Sequence, residues 1–292
     1  MRTILALAFL TACSHAPAPD TTPPKTPVLT HYTAFTVKVT GAGRPVIFIP
    51  GLGSSGDVWN GTVAHLGGKV QAHVLTLAGF AGVPPIAPPF LQTVHDQIID
   101  YIRGNNLDHP IIVGHSLGGA MSLWLAETDP ELGGVIDVDG MPFIAAAQDP
   151  NATAAQGAAI GKQVGAPLET MPHDQFVTTS RTFVASMVTK PADVDTVTAW
   201  SAASDQKTFA TAFAELFGLD LRPDLPKIKV PVTIIAAAMQ GNLPREKLEA
   251  VWHAQIDANP QIHIAFVENA RHFVMLDQPD AFYALIDQLL AH

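Results

Sequence analysis

The sequence predicts an α/β fold: a doubly wound, mostly parallel sheet with a helical cap inserted after the strand that follows the helix behind Ser116. Three observations predict it. Short apolar runs such as Val46-Ile47-Phe48-Ile49, Ile111-Ile112-Val113 and Val232-Thr233-Ile234-Ile235 recur with helix-like stretches between them, and strands alternating with helices belong to parallel sheets. Two of these runs lead straight into glycine turns, at Gly51 and Gly53 and at Gly114 and Gly118. Finally, residues 141–225 are rich in Ala and Thr and hold no strand-like run, as expected of a helical insertion. A composition of 48% hydrophobic and 14% charged residues suits a large buried core and not disorder.

Element by element, the chain opens with Arg2 and the apolar stretch Ile4 to Leu10, too short to span a bilayer and typical of a signal peptide over residues 1–12. Leu10-Thr11-Ala12-Cys13 resembles a bacterial lipobox. That resemblance implies lipidation of Cys13, the single cysteine of the chain, and anchoring at a membrane surface, with Ser14 after it pointing to the periplasmic face of an outer membrane. A soluble periplasmic or secreted protein is the other expectation. Residues 13–30 are proline-rich and read as an extended tether.

From residue 31 to 140 the first part of the core is expected. Phe35-Thr36-Val37-Lys38-Val39 alternates as an edge strand, and Gly41 to Pro45 turns it into the Val46 strand. His73-Val74-Leu75-Thr76-Leu77 reads as a further strand. Leu91, Val94, Ile98 and Ile102 share one helical face ahead of the Ile111 strand. Val135-Ile136-Asp137-Val138-Asp139 then precedes the cap, predicted over 141–225, in which Phe209, Phe213 and Phe217 recur at helical spacing and read as core. The second part of the core, 226–292, holds the Val232 strand, a helix opened by Pro244, the strand Ile262 to Val267 and a closing helix with Phe282, Leu285, Ile286 and Leu289 on one face. Asp277, ahead of Gln278-Pro279, reads as the N-cap of that closing helix.

The pentapeptide Gly114-His115-Ser116-Leu117-Gly118 sits between an apolar strand and a helix-like stretch. Glycines at those two positions leave room for a tight turn that lifts a serine oxygen clear of the backbone. A serine hydroxyl is a weak nucleophile at neutral pH, so it needs a base, an orienting acid and donors for a developing oxyanion. His272 lies in a loop after the Ile262 strand, and the glycine loop after Ile49 offers the Leu52 amide, with the Leu117 amide as a second donor. His115 reads as structural support for the turn. Ser54 and Ser55 either line the site or serve only the loop.

With Pro50-Gly51-Leu52-Gly53, Gly114-His115-Ser116-Leu117-Gly118-Gly119 and Ala270 to Pro279 on the page, residues 31 to 291 resemble the α/β-hydrolase family. The resemblance implies Ser116 as nucleophile, His272 as general base and the amides of Leu52 and Leu117 as oxyanion hole. The acid departs from the commonest pattern. The loop Ala236 to Asn242 carries no carboxylate before Glu246; the resemblance to certain lipases and dehalogenases of the family implies an acid from the end of the strand after the nucleophile helix instead. Period-two alternation puts Asp137 and Asp139 on one face; Asp139 lies nearer the strand's carboxyl end, and Asp137 is held in reserve.

The expected chemistry is hydrolysis of a small to medium apolar carboxylic ester through an acyl-enzyme, with no cofactor. Hydrolysis of a lactone, an amide or a carbon-carbon bond, or cofactor-free binding of a small ligand by the same fold, are the alternatives. Haloalkane dehalogenase and epoxide hydrolase chemistry is disfavoured, because those relatives carry an aspartate where Ser116 stands. A formal charge of -10 argues against nucleic acid. The 12 histidines are scattered without H-x-H or H-E-x-x-H spacing, which argues against a metal site.

Overall fold

In the computed structural model, residues 32–239 and 243–291 are described; Cys13, the tether and Gln240 to Asn242 lie outside them. Seven strands form one sheet in the order β1-β3-β2-β4-β5-β6-β7. They are β1 (Phe35–Thr40), β2 (Pro45–Ile49), β3 (Gln71–Leu77), β4 (Ile111–His115), β5 (Gly134–Val138), β6 (Val232–Ala237) and β7 (Ile262–Val267). Only β1 runs antiparallel, pairing Phe35 with Leu77 through Thr40 with Ala72. The other neighbours are parallel, for instance Ile49 beside Gly114 and Asp137 beside both Gly114 and Ile234. The result is a mostly parallel, doubly wound sheet. All its parallel strands therefore end on one side, and the central neighbours β2, β4 and β5 bring their following loops together there.

The strands are apolar on both faces because helices cover both. Ile47, Ile49, Ile112, Val135 and Ile234 belong to one core with residues of α2 (Phe90–Gly104), α3 (Leu117–Thr128) and α8 (Arg245–Ile256). Val46, Phe48, Val113, Ile136 and Ile235 belong to the other, with α1 (Asn60–Leu66) and α10 (Pro279–Leu290). Side chains such as Phe48, Ile112, Phe282 and Ile286 have 0% exposure, and each such burial contributes about 1.5–3 kcal/mol.

Between β5 and β6 come four helices: α4 (Ala154–Thr170), α5 (His173–Met187), α6 (Pro191–Ala202) and α7 (Gln206–Gly218). Phe209 in α7 is buried, while Phe213 and Phe217 are only half-buried and pack on each other with ring centroids 4.7 Å apart. α7 thus places only part of its aromatic stripe in a core.

Candidate active site

The turn after β4 explains why Ser116 needs glycine neighbours. Ser116 has φ 56 and ψ -116, a left-handed conformation that strains any residue with a side chain. Its amide is nevertheless held, donating to the Val138 carbonyl at 2.9 Å, and its carbonyl accepts from Ala120 N at 3.0 Å. A Cβ on Gly114 would lie 1.9 Å from the Gly118 oxygen, and one on Gly118 would lie 2.3 Å from the Ile49 oxygen. Strand, turn and helix can cross this closely only without those side chains. α3 begins at Leu117, so the Leu117 amide is among the N-terminal donors that have no partner within their own helix.

The loop after β2 runs against the same turn. A Cβ on Gly51 would meet His115 Nδ1 at 2.9 Å and Ser116 Cβ at 3.1 Å, so the Pro50-Gly51-Leu52 backbone sits directly beside the serine. Gly53 takes φ +63 and lies under the Phe209 ring of the cap. Ser54 and Ser55 are buried in this loop; Ser55 Oγ accepts from Asp57 N at 3.1 Å and caps a short 3-10 turn.

β5 ends one residue before the second acidic candidate. Asp139 has φ 56, so the chain has left the strand, and the shared face predicted by alternation no longer holds for the two aspartates. The Asp139 side chain is fully buried; its Oδ1 accepts from Ala237 N at 2.9 Å, and its Oδ2 lies 2.7 Å from His272 Nδ1. A carboxylate only accepts, so Nδ1 carries the proton of this hydrogen bond. His272 and Ser116 are both half-buried and reach solvent.

Asp137, the reserve candidate, points elsewhere. Its Oδ1 accepts from Gly140 N at 2.8 Å and would lie 2.0 Å from a Cβ on Gly119, so it sits under α3. Burial, reinforced by the Asp139 charge and opposed by the Gly140 hydrogen bond, raises its pKa well above the usual carboxylate range and favours the protonated acid. Among the described residues Asp139, and not Asp137, is the aspartate in contact with His272.

His115 has no exposure, and its Nε2–H donates to the His272 carbonyl at 3.1 Å while the two rings lie 4.7 Å apart. Burial first, and then the His272 charge, hold its pKa well below the ordinary histidine value. The spacing of residues gave no sign of this tie between the elbow and the histidine loop.

A further sequence expectation is corrected. Asp277 is not an N-cap: α10 follows Gln278 without a side-chain cap, and Asp277 is the last residue of the short helix α9 (Val274–Asp277). Its carboxylate instead accepts from Arg271 N and from Thr189 of the cap. Thr189 offered no signal in sequence, because a threonine between two cap helices carries no pattern of its own.

Set beside known proteins, residues 46–285 match a model described as the alpha/beta hydrolase family. A pimeloyl-[acyl-carrier protein] methyl ester esterase from Aeromonas hydrophila is 24% identical over 259 residues, which cover 86% of this chain and 96% of that protein. An N-formylmaleamate deformylase from Pseudomonas putida is 22% identical over 263 residues, 86% of this chain and 90% of that one. The solved structure of an enol-lactonase from Burkholderia xenovorans superimposes with a TM-score of 0.73 at 16% identity, over 88% of this chain and 96% of its own.

Proposed function

Because this chain belongs to the alpha/beta hydrolase family, we propose that it is a serine hydrolase acting on carboxylic esters of small to medium apolar substrates. Ser116 Oγ attacks the ester carbonyl as its proton passes to His272 Nε2. The main-chain N–H groups of Leu52 and Leu117 hold the resulting oxyanion. Collapse expels the alcohol, which takes the proton from the imidazolium; a water deprotonated by the same ring then releases the acid and restores Ser116. Asp139 orients His272 and balances the positive charge that forms on it. No cofactor takes part.

The observation that carries this reading is the 2.7 Å contact between Asp139 Oδ2 and His272 Nδ1, on a loop tied to the residue preceding Ser116. Ser116→Ala should abolish turnover of a p-nitrophenyl ester while the circular dichroism spectrum stays native; retained activity overturns the proposal. Weakening one oxyanion donor should be milder, about 3 kcal/mol.

A second reading is supported by the names of the relatives, a deformylase and an enol-lactonase among them: hydrolysis of an amide or a lactone on the same residues. Attack and oxyanion are unchanged, so the fold alone does not choose the leaving group. A panel of esters, lactones, formamides and carbon-carbon substrates of graded length distinguishes these by kcat/KM. Failure of a fluorophosphonate to label Ser116 in folded protein would instead favour a ligand-binding role.

We also propose that the chain is exported and lipidated at Cys13, which anchors it to a membrane surface. The support is the lipobox-like Leu10-Thr11-Ala12-Cys13. Mass spectrometry of the mature N-terminus should find an acylated cysteine, and Cys13→Ser should release the protein from membranes; an unmodified or differently cut terminus overturns it.

A further inference from the structure

His272 sits in a loop after β7, where no strand pairing fixes it, yet a general base must hold its position closely. Three consecutive residues of that loop each have a main-chain group fastened from outside. The Arg271 amide donates to Asp277 Oδ2 at 2.8 Å, the His272 carbonyl accepts from His115 at 3.1 Å, and the Phe273 amide donates to the Met187 carbonyl at 3.2 Å. The first and third of these lead into the cap. Asp277 Oδ1 accepts both the Thr189 amide at 2.8 Å and the Thr189 hydroxyl at 2.7 Å.

Further bonds join the same two segments. Arg271 Nη1 donates to the carbonyls of Ala185 and Val188 at 3.0 and 3.2 Å, and Lys190 Nζ donates to the Leu276 carbonyl at 2.7 Å. Asp277 lies at the centre of this seam and is only 4% exposed. A buried carboxylate that receives three donors on two oxygens is hard to replace. Asparagine offers one acceptor and turns a donor toward either Thr189 or Arg271, leaving buried N–H groups facing each other.

We propose that Asp277 and Thr189 are positioning residues that bolt the α5–α6 junction of the cap to the histidine loop, so that the seated cap sets the placement of His272 against Ser116. This rests on the hydrolase reading above. Asp277 touches no reacting atom; it acts through the Arg271 amide, one residue from the base. The cap is thereby part of the catalytic geometry.

The test compares Asp277→Asn and Thr189→Val with the unaltered full chain. Asp277→Asn should lower kcat on a turned-over ester about a hundredfold, as expected for a displacement of the base by about 1 Å, with KM changed far less. Fluorophosphonate labelling should slow in parallel, and the downfield proton resonance of His272 Nδ1–H should shift or broaden. Thr189→Val, which loses one donor, should move each readout the same way by a smaller factor. A lower melting temperature with unchanged kcat and an unchanged Nδ1–H resonance would make Asp277 a merely structural residue and overturn the proposal. If Asp277→Asn does not fold, Thr189→Val decides on the same readouts. Should the unaltered protein neither hydrolyse esters nor react with the probe, the hydrolase reading fails, while the resonance still tests the bolt.

Discussion

The helix that follows Ser116 and the first helix of the cap both depend on glycine, and they use it oppositely. In α3 the glycines let a strand and a helix cross at contact distance, and nine residues from Leu117 to Ala126, Gly118 and Gly119 among them, are buried. In α4, a helix of 17 residues, the buried positions are Gly157, Gly161 and Gly165. They lie on the backbone of α7: a Cβ on Gly157 would be 2.1 Å from the Phe217 oxygen, and one on Gly161 would be 2.7 Å from the Ala214 oxygen. Meanwhile Ile160 and Val164 of α4 stand 43% and 46% exposed. Close approach is achieved in both places, but burying glycine removes little apolar surface from water. The sheet end is therefore expected to be the more rigid part, and the outer cap helix, which buries only glycines, the more weakly held.

The largest expected effect tests the rigid side. Asp139→Asn should reduce kcat by several decades, about 10⁴-fold if its role is to hold the imidazole in one tautomer. Asp137→Asn should leave kcat within a small factor, because an amide replaces a carboxyl that burial already keeps protonated and the Gly140 amide keeps an oxygen acceptor. Steady-state kinetics on both variants check this; the reverse ranking would transfer the orienting role to Asp137 and undo the contrast between the two carboxylates.

A smaller effect separates the two uses of glycine. Gly118→Ala places a methyl group 2.3 Å from a main-chain oxygen of β2, which side-chain motion cannot relieve, so soluble folded protein should be largely lost. Gly161→Ala meets the Ala214 oxygen at 2.7 Å between two cap helices, away from the sheet. It should cost about 1–3 kcal/mol locally. Limited proteolysis and hydrogen exchange should find α4 released while the sheet stays protected. Equal loss of protection in sheet and cap would mean that the cap is no looser than the core.

Most of the sheet was legible because period and turn chemistry agree along each strand: Phe35 to Val39 alternates, and the runs at Val46, Ile111 and Val232 end in loops at one side. The candidate acid was only half legible. Alternation joins Asp137 and Asp139, and it fails where Asp139 turns left-handed, an event that depends on Ala237 and His272 far along the chain. α4 hid for a different reason. Its inward face is glycine and its outward face carries Ile160 and Val164, so apolar periodicity points away from the contact. α1 was passed over because it is seven residues long and contains Gly61. Asp277 was misread because its neighbour Pro279 does begin a helix, while its actual partners, Thr189 and the Arg271 amide, are set by tertiary structure alone.

The smallest effect lies where the two regions meet. Glu127, near the end of α3, is half-buried beside Asp224, which precedes the 3-10 turn Leu225–Lys227, and Lys227, which ends it, where the chain returns from the cap to β6. Burial first, and then the Asp224 charge, push the Glu127 carboxyl up to about 8, against a smaller opposing effect of Lys227. With a folded pKa above the unfolded one, the native state binds the extra proton between about pH 4.5 and 8. The stability contributed is fully present below that window and is lost as pH rises through it. Solvent access to the side chain keeps the effect modest. Melting midpoints measured from pH 5 to 9 should therefore fall toward alkaline pH, and Glu127→Gln, which cannot ionise, should flatten that fall. If the seam belongs with the loosely held cap, the flattening will appear in hydrogen exchange of Asp224 to Lys227 well before it appears in the global midpoint; if it belongs with the core, both will change together.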